Sequence, residues 1–300
     1  MRIGVDVGGT KIEAVALEGS HVMARLRIDT PRDDYAATLD AIAALVTNLR
    51  NTTGSAATVG IGIPGTVATT GLVKNANSTW LIGRPLQVDL EARLACTVRI
   101  ANDANCFAMS EATDGAAADA HVVFGVIVGT GTGAGIVVRG NVLSGANGIA
   151  GEWGHNALPW PDDDERPGPG CYCGKSGCIE TFLSGPGMTA DHERRTGRHQ
   201  SPREIAVAAD RGDRAAVATM ERYERRMARA LASVINVLDP DVIVLGGGMS
   251  NINRVYENVP RLWSEWVFAA TGSAPDVRTQ LVRAKHGDAS GVRGAAWLWP

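Results

Sequence analysis

Three glycine-rich turns, each directly after a short apolar run, constrain this chain more than any other feature of its sequence. The pairs are RIGVDV at 2–7 before Gly8-Gly9, VVFGVIV at 122–128 before GTGTGAG at 129–135, and DVIVL at 241–245 before Gly246-Gly247-Gly248. A short apolar run that stops at glycine predicts a buried strand followed by a turn. Glycine lets backbone N–H groups approach an anion closely, and threonine adds a hydroxyl donor. Any one turn is more typical of a tight hairpin, but the three together favour a bound nucleotide.

Helical periodicity alternates with the strands. Apolar residues recur at steps of three and four through residues 33–50 and again through 214–238, where arginine and glutamate are expected on the outer face. A strand over 98–101 ends at Asn102-Asp103, which is well suited to cap an alanine-rich helix running to about residue 118. Strands that alternate with helices predict an α/β fold.

One strand–glycine–strand unit is repeated. Gly4–Leu17 aligns with Gly125–Val138 without gaps, with identical residues at the first, second, fourth and fifth positions. Such segments also recur by chance, so the match is weak by itself. It predicts one supersecondary unit that the chain uses twice.

Composition excludes several classes of protein. The chain has 300 residues, of which 45% are hydrophobic, and a formal net charge of −3. Disordered and fibrous proteins are excluded, and a nucleic-acid partner is not expected. No apolar run approaches the roughly 18 residues of a membrane span, and no signal-peptide pattern opens the chain. Five cysteines without a secretion signal predict a reduced, cytoplasmic protein.

Four side chains have the spacing of a metal site. Cys171, Cys173 and Cys178 lie within eight residues, separated by glycines, and His155 lies upstream. The glycines allow the three thiolates to face one point, and one histidine would complete the tetrahedral Cys₃His set of a structural zinc site. A set of small buried cysteines or a redox pair is the alternative. The other two cysteines have no such partners and are expected to serve packing.

Three carboxylates are candidates for function. Asp103 lies where a strand gives way to a helix, a common place for a functional carboxylate in α/β sheets, although a plain helix cap would look the same. Glu152 in GEWGH and Glu180 in GCIE flank the expected metal site. Each of these two glutamates is equally compatible with a solvated or structural role.

The motifs, taken together and in order, resemble those of the ROK family of bacterial sugar kinases. They are DVGGTK at 6–11, GIGIPG at 60–65, NDANC at 102–106, GTGTGAG at 129–135, GEWGH at 151–155, CYCGKSGCIE at 171–180 and GGGMS at 246–250. The segments that most resemble the fructokinase and mannokinase branch are KNANSTWL at 74–81, HNALPW at 155–160, AKHGD at 284–288 and GVRGAAWLWP at 291–300. The N-acetylglucosamine kinases of the family share much of the same frame.

The resemblance implies an α/β, actin-like (ribonuclease H-like) ATPase fold with two domains around a central cleft. The expected small domain spans 1–118 and the large domain 119–288, with a C-terminal helix at 289–300 returning to the small one. A homodimer is also expected. ROK repressors carry an N-terminal helix-turn-helix, for which a chain beginning on its first strand leaves no room.

The resemblance also implies roles for individual residues. Asp103 matches the catalytic general base. The expected sugar contacts are Asn77, Asn102, Asp103, Glu152, His155 and Glu180. The expected ligands of a structural Zn²⁺ are His155, Cys171, Cys173 and Cys178. The residues expected around ATP and its Mg²⁺ are Asp6, Gly8, Gly9, Thr10, Lys11, Gly129, Thr130, Gly131, Thr132, Gly133, Gly246, Gly247 and Gly248.

The function that the resemblance implies is ATP-dependent phosphorylation of a hexose at its 6-hydroxyl. Fructose is the expected acceptor, with mannose and glucose also compatible, and N-acetylglucosamine is the alternative. A non-catalytic sugar-sensing regulator and a nucleotide-driven chaperone or filament protein compete with it. Neither competitor requires the whole set of motifs.

Overall fold

The computed structural model describes residues 1–54, 56–271 and 273–299. The strands are β1 (Arg2–Val7), β2 (Lys11–Glu18), β3 (His21–Asp29), β4 (Thr58–Ile63), β5 (Thr66–Val67), β6 (Val73–Lys74), β7 (Val98–Asn102), β8 (Val122–Val128), β9 (Thr132–Val138), β10 (Asn141–Val142), β11 (Val242–Gly246) and β12 (Gln280–Arg283). The helices are α1 (Tyr35–Thr53), α2 (Leu86–Leu94), α3 (Asp103–Thr113), α4 (Ile179–Leu183), α5 (Gly185–Thr196), α6 (Pro202–Asp210), α7 (Arg214–Leu238), α8 (Arg254–Trp263) and α9 (Ser290–Ala296). The predicted α/β alternation is confirmed.

Two five-stranded sheets share one strand order. The first runs β3-β2-β1-β4-β7 and the second runs β10-β9-β8-β11-β12, so the third, second, first, fourth and fifth strand of each set occupy equivalent positions. In the first sheet β1 pairs antiparallel with β2 and parallel with β4, which in turn pairs parallel with β7. The shared order agrees with the repeat that the sequence predicts.

The first sheet is covered on both faces. Ile3, Val5 and Val7 belong to the core that includes α1 and α2, whereas Val15 belongs to a second cluster with α9. In β2, Ala14 and Ala16 belong to the first core and Val15 to the second, so alternate residues of the strand point to opposite faces, as the pleat requires. On the α9 face β1 carries glycine, and a Cβ at Gly4 would overlap the backbone of α9. Because side chains two residues apart in a strand point to the same face, Asp6 also faces α9.

The described chain divides into two compact units. Unit 1 comprises Met1–Asp119, Gly135–Gly151 and the segment that begins at Lys285, and unit 2 comprises Ala120–Ala134 and Glu152–Ala284. The segment with α9 packs on β1 and β4, inside unit 1. Pro300, the last residue of the expected C-terminal helix, lies outside the described residues.

Two element ends differ from expectation. Helix α3 ends at Thr113 rather than near residue 118, because the backbone N–H of Ala116 turns back to donate to the Glu111 carboxylate, 2.8 Å away. Strand β9 begins at Thr132, inside the glycine-rich turn expected at 129–135. The loop after β8 is accordingly short.

The prediction that the arginine and glutamate side chains of α7 all lie on its outer face is wrong in part. Glu224, Arg226 and Arg229 are buried, with 2%, 2% and 1% of their surface exposed. Each is paired with an opposite charge from another segment, so the helix buries charge as well as apolar surface. Among the described residues, no helix has both the length and the apolar character that crossing a bilayer would need.

Candidate functional site

The carboxyl ends of three parallel strands meet at one edge of the first sheet. In the register, Asp6 of β1 pairs with Gly62 of β4, and Ile63 of β4 pairs with Asn102 of β7. Functional side chains of parallel sheets concentrate at such an edge. The structure therefore brings Asp6 and the Asn102-Asp103 pair, all in unit 1, to the same end of the sheet.

The Asp6 carboxylate lies in a confined environment on the α9 side of the sheet. A Cβ at Gly291, the second residue of α9, would come within 3.1 Å of its Oδ2 atom. Burial raises the pKa of Asp6 to about 7, with further increases from the nearby carboxylates of Asp103 and Glu13. When both Asp6 and Asp103 are ionised, their negative charges repel each other. A bound cation would relieve this repulsion.

Asn102 and Asp103 begin helix α3. The Asn102 side chain accepts the Ala104 N–H at 2.9 Å and donates to the Gly65 carbonyl at 3.2 Å. The Asp103 Oδ1 atom also accepts the Ala104 N–H, at 2.8 Å. Asn102 is therefore the cap of α3, and the same first turn orients the adjacent Asp103 carboxylate.

The turn at Gly8–Lys11 is closed by a hydrogen bond within it and is held by a second hydrogen bond from Thr30. The Gly8 N–H donates to the Lys11 carbonyl at 2.9 Å, and the Thr30 hydroxyl donates to the Gly8 carbonyl at 2.7 Å. Thr10 and Lys11 are exposed, as a loop that binds solvent-borne anions requires. Asn77 is also exposed, and the hydroxyl of the buried Ser78 beside it lies 3.9 Å from where a Gly9 Cβ would be.

The other two glycine turns lie together in unit 2. A Cβ at Gly129 would be 4.0 Å from the Gly248 backbone nitrogen. The loop between β8 and β9, which holds Gly129, Thr130 and Gly131, is closed by the Gly129 N–H donating to the Gly131 carbonyl at 2.9 Å. The structure thus places the expected phosphate loop beside the Gly246–Gly248 turn.

A cavity of about 500 Å³ adjoins Gly248 of the second turn. It is formed by α6 and by the residues around the start of α8. Its lining includes Pro202, Arg203, Val207, Gly248, Asn251 and Arg254. A space that opens beside Gly248 and is walled by helices is suited to the nucleoside part of a nucleotide.

The four expected metal ligands converge in unit 2. The ligand atoms of His155, Cys171, Cys173 and Cys178 all lie within 4.8 Å of one another. The Cys171 Sγ atom is 3.5 Å from His155 Nδ1, and the sulfurs of Cys173 and Cys178 are 3.6 Å apart. The prediction that these residues form one cluster agrees with the geometry.

The spacing of these atoms fits zinc. With bonds of about 2.3 Å to sulfur and about 2.0–2.1 Å to nitrogen, tetrahedral geometry separates sulfur from nitrogen by about 3.6 Å and two sulfurs by about 3.8 Å. Burial and the neighbouring thiols of Cys173 and Cys171 raise the pKa of Cys178 to about 12. The Cys178 thiol therefore resists ionisation until a cation offsets its charge, and a set of three sulfurs and one imidazole nitrogen favours a divalent metal.

Backbone pairing joins the two segments that supply the ligands. Ala157 and Cys178 form an antiparallel bridge. The Leu158 N–H donates to the Gly177 carbonyl at 2.9 Å, and the Ile179 N–H donates to the Asn156 carbonyl at 2.8 Å. His155 and Cys178 are therefore held at neighbouring positions even without the metal.

A buried ion cluster holds the acidic loop that precedes the cysteines. Glu165 accepts from Arg226 Nε at 2.7 Å and from Arg229 at 2.7 and 2.8 Å. Burial alone would raise the pKa of Glu165, but the hydrogen bonds from Arg226, Asp162 N–H and Arg229 hold it below its ordinary value. The loop is thus fastened to α7 by a carboxylate that stays ionised.

Glu180 connects the metal segment to the phosphate loop. Its Oε2 atom accepts the Thr132 N–H at 2.8 Å. Glu152 is exposed at the start of the short 3₁₀ turn that carries His155, and this turn is anchored by the buried Trp153, whose Nε1 donates to the Ala230 carbonyl at 3.3 Å. Of the expected sugar contacts in unit 2, His155 belongs to the metal cluster, and Glu152 and Glu180 lie within three residues of its ligands in the sequence.

One residue beside the cluster was missed by sequence reasoning. The Tyr172 hydroxyl lies 2.9 Å from His155 Nε2, and the two rings meet edge to face at 5.0 Å. Burial, followed by the charges of Glu180, Cys171 and Glu152, raises the pKa of Tyr172 to about 12. Its place between two ligand cysteines was the only signal in the sequence.

Comparison with known proteins covers nearly the whole chain. The family model described as the ROK family matches residues 2–300. An N-acetyl-D-glucosamine kinase of Vibrio cholerae serotype O1 is 42% identical over 304 residues, which cover 99% of each protein.

Two solved structures are similar in fold. The crystal structure of a ROK hexokinase from Thermus thermophilus has a TM-score of 0.85 at 29% identity, covering 99% of this chain and 97% of that one. A ROK family glucokinase from Streptomyces griseus, in complex with glucose and AMPPNP, has a TM-score of 0.74 at 28% identity, covering 98% and 97%. The predicted actin-like α/β fold class is confirmed. The expected fructokinase and mannokinase branch is not supported by these relatives.

The metal cluster yields a direct prediction. Replacing Cys178 by serine removes one of four ligands and should reduce bound zinc from about one ion per chain to a small fraction of that, because incomplete sets bind weakly. Metal analysis after dialysis against a mild chelator measures the content. Cys96→Ser, which changes a thiol in unit 1, should retain zinc. Full zinc occupancy in Cys178→Ser would contradict the assigned ligand set.

Proposed function

Because this chain belongs to the ROK family, we propose that it is an ATP-dependent sugar kinase that phosphorylates N-acetyl-D-glucosamine at its 6-hydroxyl. The observation that carries the choice of sugar is the 42% identity to an N-acetyl-D-glucosamine kinase over 99% of both chains. N-acetyl-D-glucosamine, the alternative acceptor in the sequence analysis, therefore replaces fructose, whose choice was based on the resemblance of four short segments. The similarity to the glucokinase structure with glucose and AMPPNP supports a sugar and an adenine nucleotide as the two substrates.

Asp103 is the proposed general base. As the 6-hydroxyl attacks the γ-phosphorus of ATP in line, the hydroxyl proton passes to the Asp103 carboxylate. The first turn of α3 orients this carboxylate through the Ala104 N–H. Asn102, fixed by Ala104 and Gly65, is the proposed hydrogen-bond partner of a neighbouring sugar hydroxyl.

The remaining sugar contacts are assigned to Glu152, His155 and Glu180, with a lesser role for Asn77. A neutral sugar is recognised by hydrogen-bond geometry, so its partners must be held rigidly. The backbone bridge and the proposed zinc would fix His155, and the Thr132 N–H fixes Glu180. Zinc would serve a structural role here, since four protein ligands leave no open position.

The glycine turns are the proposed ATP contacts. Residues 8–11 and 129–133 would direct backbone N–H groups and threonine hydroxyls to phosphate oxygens, and Gly246–Gly248 would border the nucleoside. Asp6 is the residue suited to hold the Mg²⁺ that accompanies ATP, because its carboxylate shares a confined space with another negative charge. Mg²⁺ would neutralise charge on the phosphates.

A comparison of acceptors tests the proposed substrate. With ATP and Mg²⁺ in an ADP-coupled assay, N-acetyl-D-glucosamine should give a kcat/KM at least about tenfold above that of fructose, mannose or glucose, since polar recognition discriminates by at least that factor. A preference for fructose would restore the earlier expectation. Sugar binding without any ADP release would instead favour the sugar-sensing regulator.

The base assignment is tested by Asp103→Asn. Loss of proton transfer should lower kcat by at least about a hundredfold, with little change in melting temperature, because the amide keeps the shape of the carboxylate. The matched control is Asp119→Asn, which changes an exposed carboxylate of unit 1 and should leave kcat unchanged. Near-normal turnover in Asp103→Asn would reject the assignment.

A further inference from the structure

Tyr172 makes an unusual contact for an exposed side chain. It is 76% exposed, yet its hydroxyl lies 2.9 Å from His155 Nε2 and its ring meets the imidazole edge to face at an interplanar angle of 89°. An exposed tyrosine gains little from burial, so this contact with the imidazole is what orients the phenol. It lies in a region of unit 2 that also carries Glu152 and Glu180.

The direction of the hydrogen bond follows from the metal cluster. His155 Nδ1 faces the cysteine sulfurs, 3.5 Å from Cys171, so a metal bound there occupies that nitrogen. The neutral imidazole then carries its proton on Nε2, which must donate. The Tyr172 oxygen is therefore the acceptor.

The same N–H is the atom that His155 offers to a sugar. An imidazole with one nitrogen on a metal has a single remaining hydrogen-bonding group. A sugar oxygen that binds His155 must take the position at which the Tyr172 oxygen lies. Because the phenol is exposed, it can leave that position by rotation about its side-chain bonds without breaking core packing.

We propose that Tyr172 occupies the sugar-oxygen position at His155 Nε2 in the free protein and is displaced when the sugar binds, so that it lowers sugar affinity. This inference rests on the proposed function and deepens it. Tyr172 thereby acts as a specificity-determining residue, since only sugars with an oxygen correctly placed for His155 compensate for the contact that is lost.

The test is sugar binding to the zinc-loaded protein, measured by calorimetry without ATP. Tyr172→Phe should bind N-acetyl-D-glucosamine about two- to tenfold more tightly than the natural protein, as expected from one removed competing hydrogen bond. In turnover, KM for the sugar should fall by the same factor while kcat and KM for ATP stay unchanged. Unchanged or weaker sugar binding in Tyr172→Phe would overturn the proposal.

The control is Tyr35→Phe. It removes a hydroxyl that donates to Asp89 at 2.7 Å within unit 1, and it should leave sugar affinity unchanged. Zinc content should be equal in all three proteins. Loss of zinc from Tyr172→Phe would overturn the proposal, because Tyr172 would then support the ligand geometry of His155.

Acceptor analogues identify the sugar oxygen concerned. The gain in Tyr172→Phe should disappear for one analogue among glucose, which lacks the N-acetyl group, and the 1-, 3- and 4-deoxy forms of N-acetylglucosamine. A gain that persists with every analogue would contradict displacement by a sugar oxygen. If the natural protein binds no sugar at all, the proposed function itself fails, which is distinguishable from equal binding by both proteins.

Discussion

The buried pairing of Glu165 with Arg226 and Arg229 is the interaction on which the geometry of unit 2 depends most. The loop from 161 to 178 is rich in proline, glycine and charged residues, so it cannot be held by apolar burial. Its Glu165 carboxylate is instead surrounded by guanidinium groups on α7, and these side chains are 2–4% exposed. Removing one partner of such a pair leaves an uncompensated buried charge, which typically costs about 3–5 kcal/mol. Cys171, Cys173 and Cys178 follow Glu165 in the sequence, so the ion pairs of Glu165 with α7 help to position these metal ligands.

In unit 1 the corresponding constraint is steric. Glycine on one face of β1 lets α9 approach closely, and the strand register brings Asp6 and the residue after Asn102, Asp103, to the same edge of the sheet. Two neighbouring carboxylates are unfavourable unless one is protonated or a cation is present. This sheet edge thus holds two carboxyl groups whose repulsion opposes folding unless a proton or a cation relieves it.

Much of this architecture could be predicted from sequence because its signals are local. Strand β8, for example, was predicted by the apolar run at 122–128 before a glycine-rich turn, and the Cys₃His set was predicted by the spacing of its residues. The burial of Arg226 could not be predicted, because helical periodicity counts apolar residues and its partner Glu165 lies 61 residues away. The Tyr172–His155 contact depends on how two loops fold together. The relatives do not support the sugar branch expected from the sequence, because short segments shared across a family carry little information on specificity.

The identity of the phosphorylated product tests the central claim most directly. Incubation of the protein with ATP, Mg²⁺ and N-acetyl-D-glucosamine, followed by ³¹P NMR, should show a phosphomonoester coupled to the two protons on carbon 6, formed in equal amount to ADP. ADP accompanied only by inorganic phosphate, or a phosphate on any other oxygen of the sugar, would contradict the account.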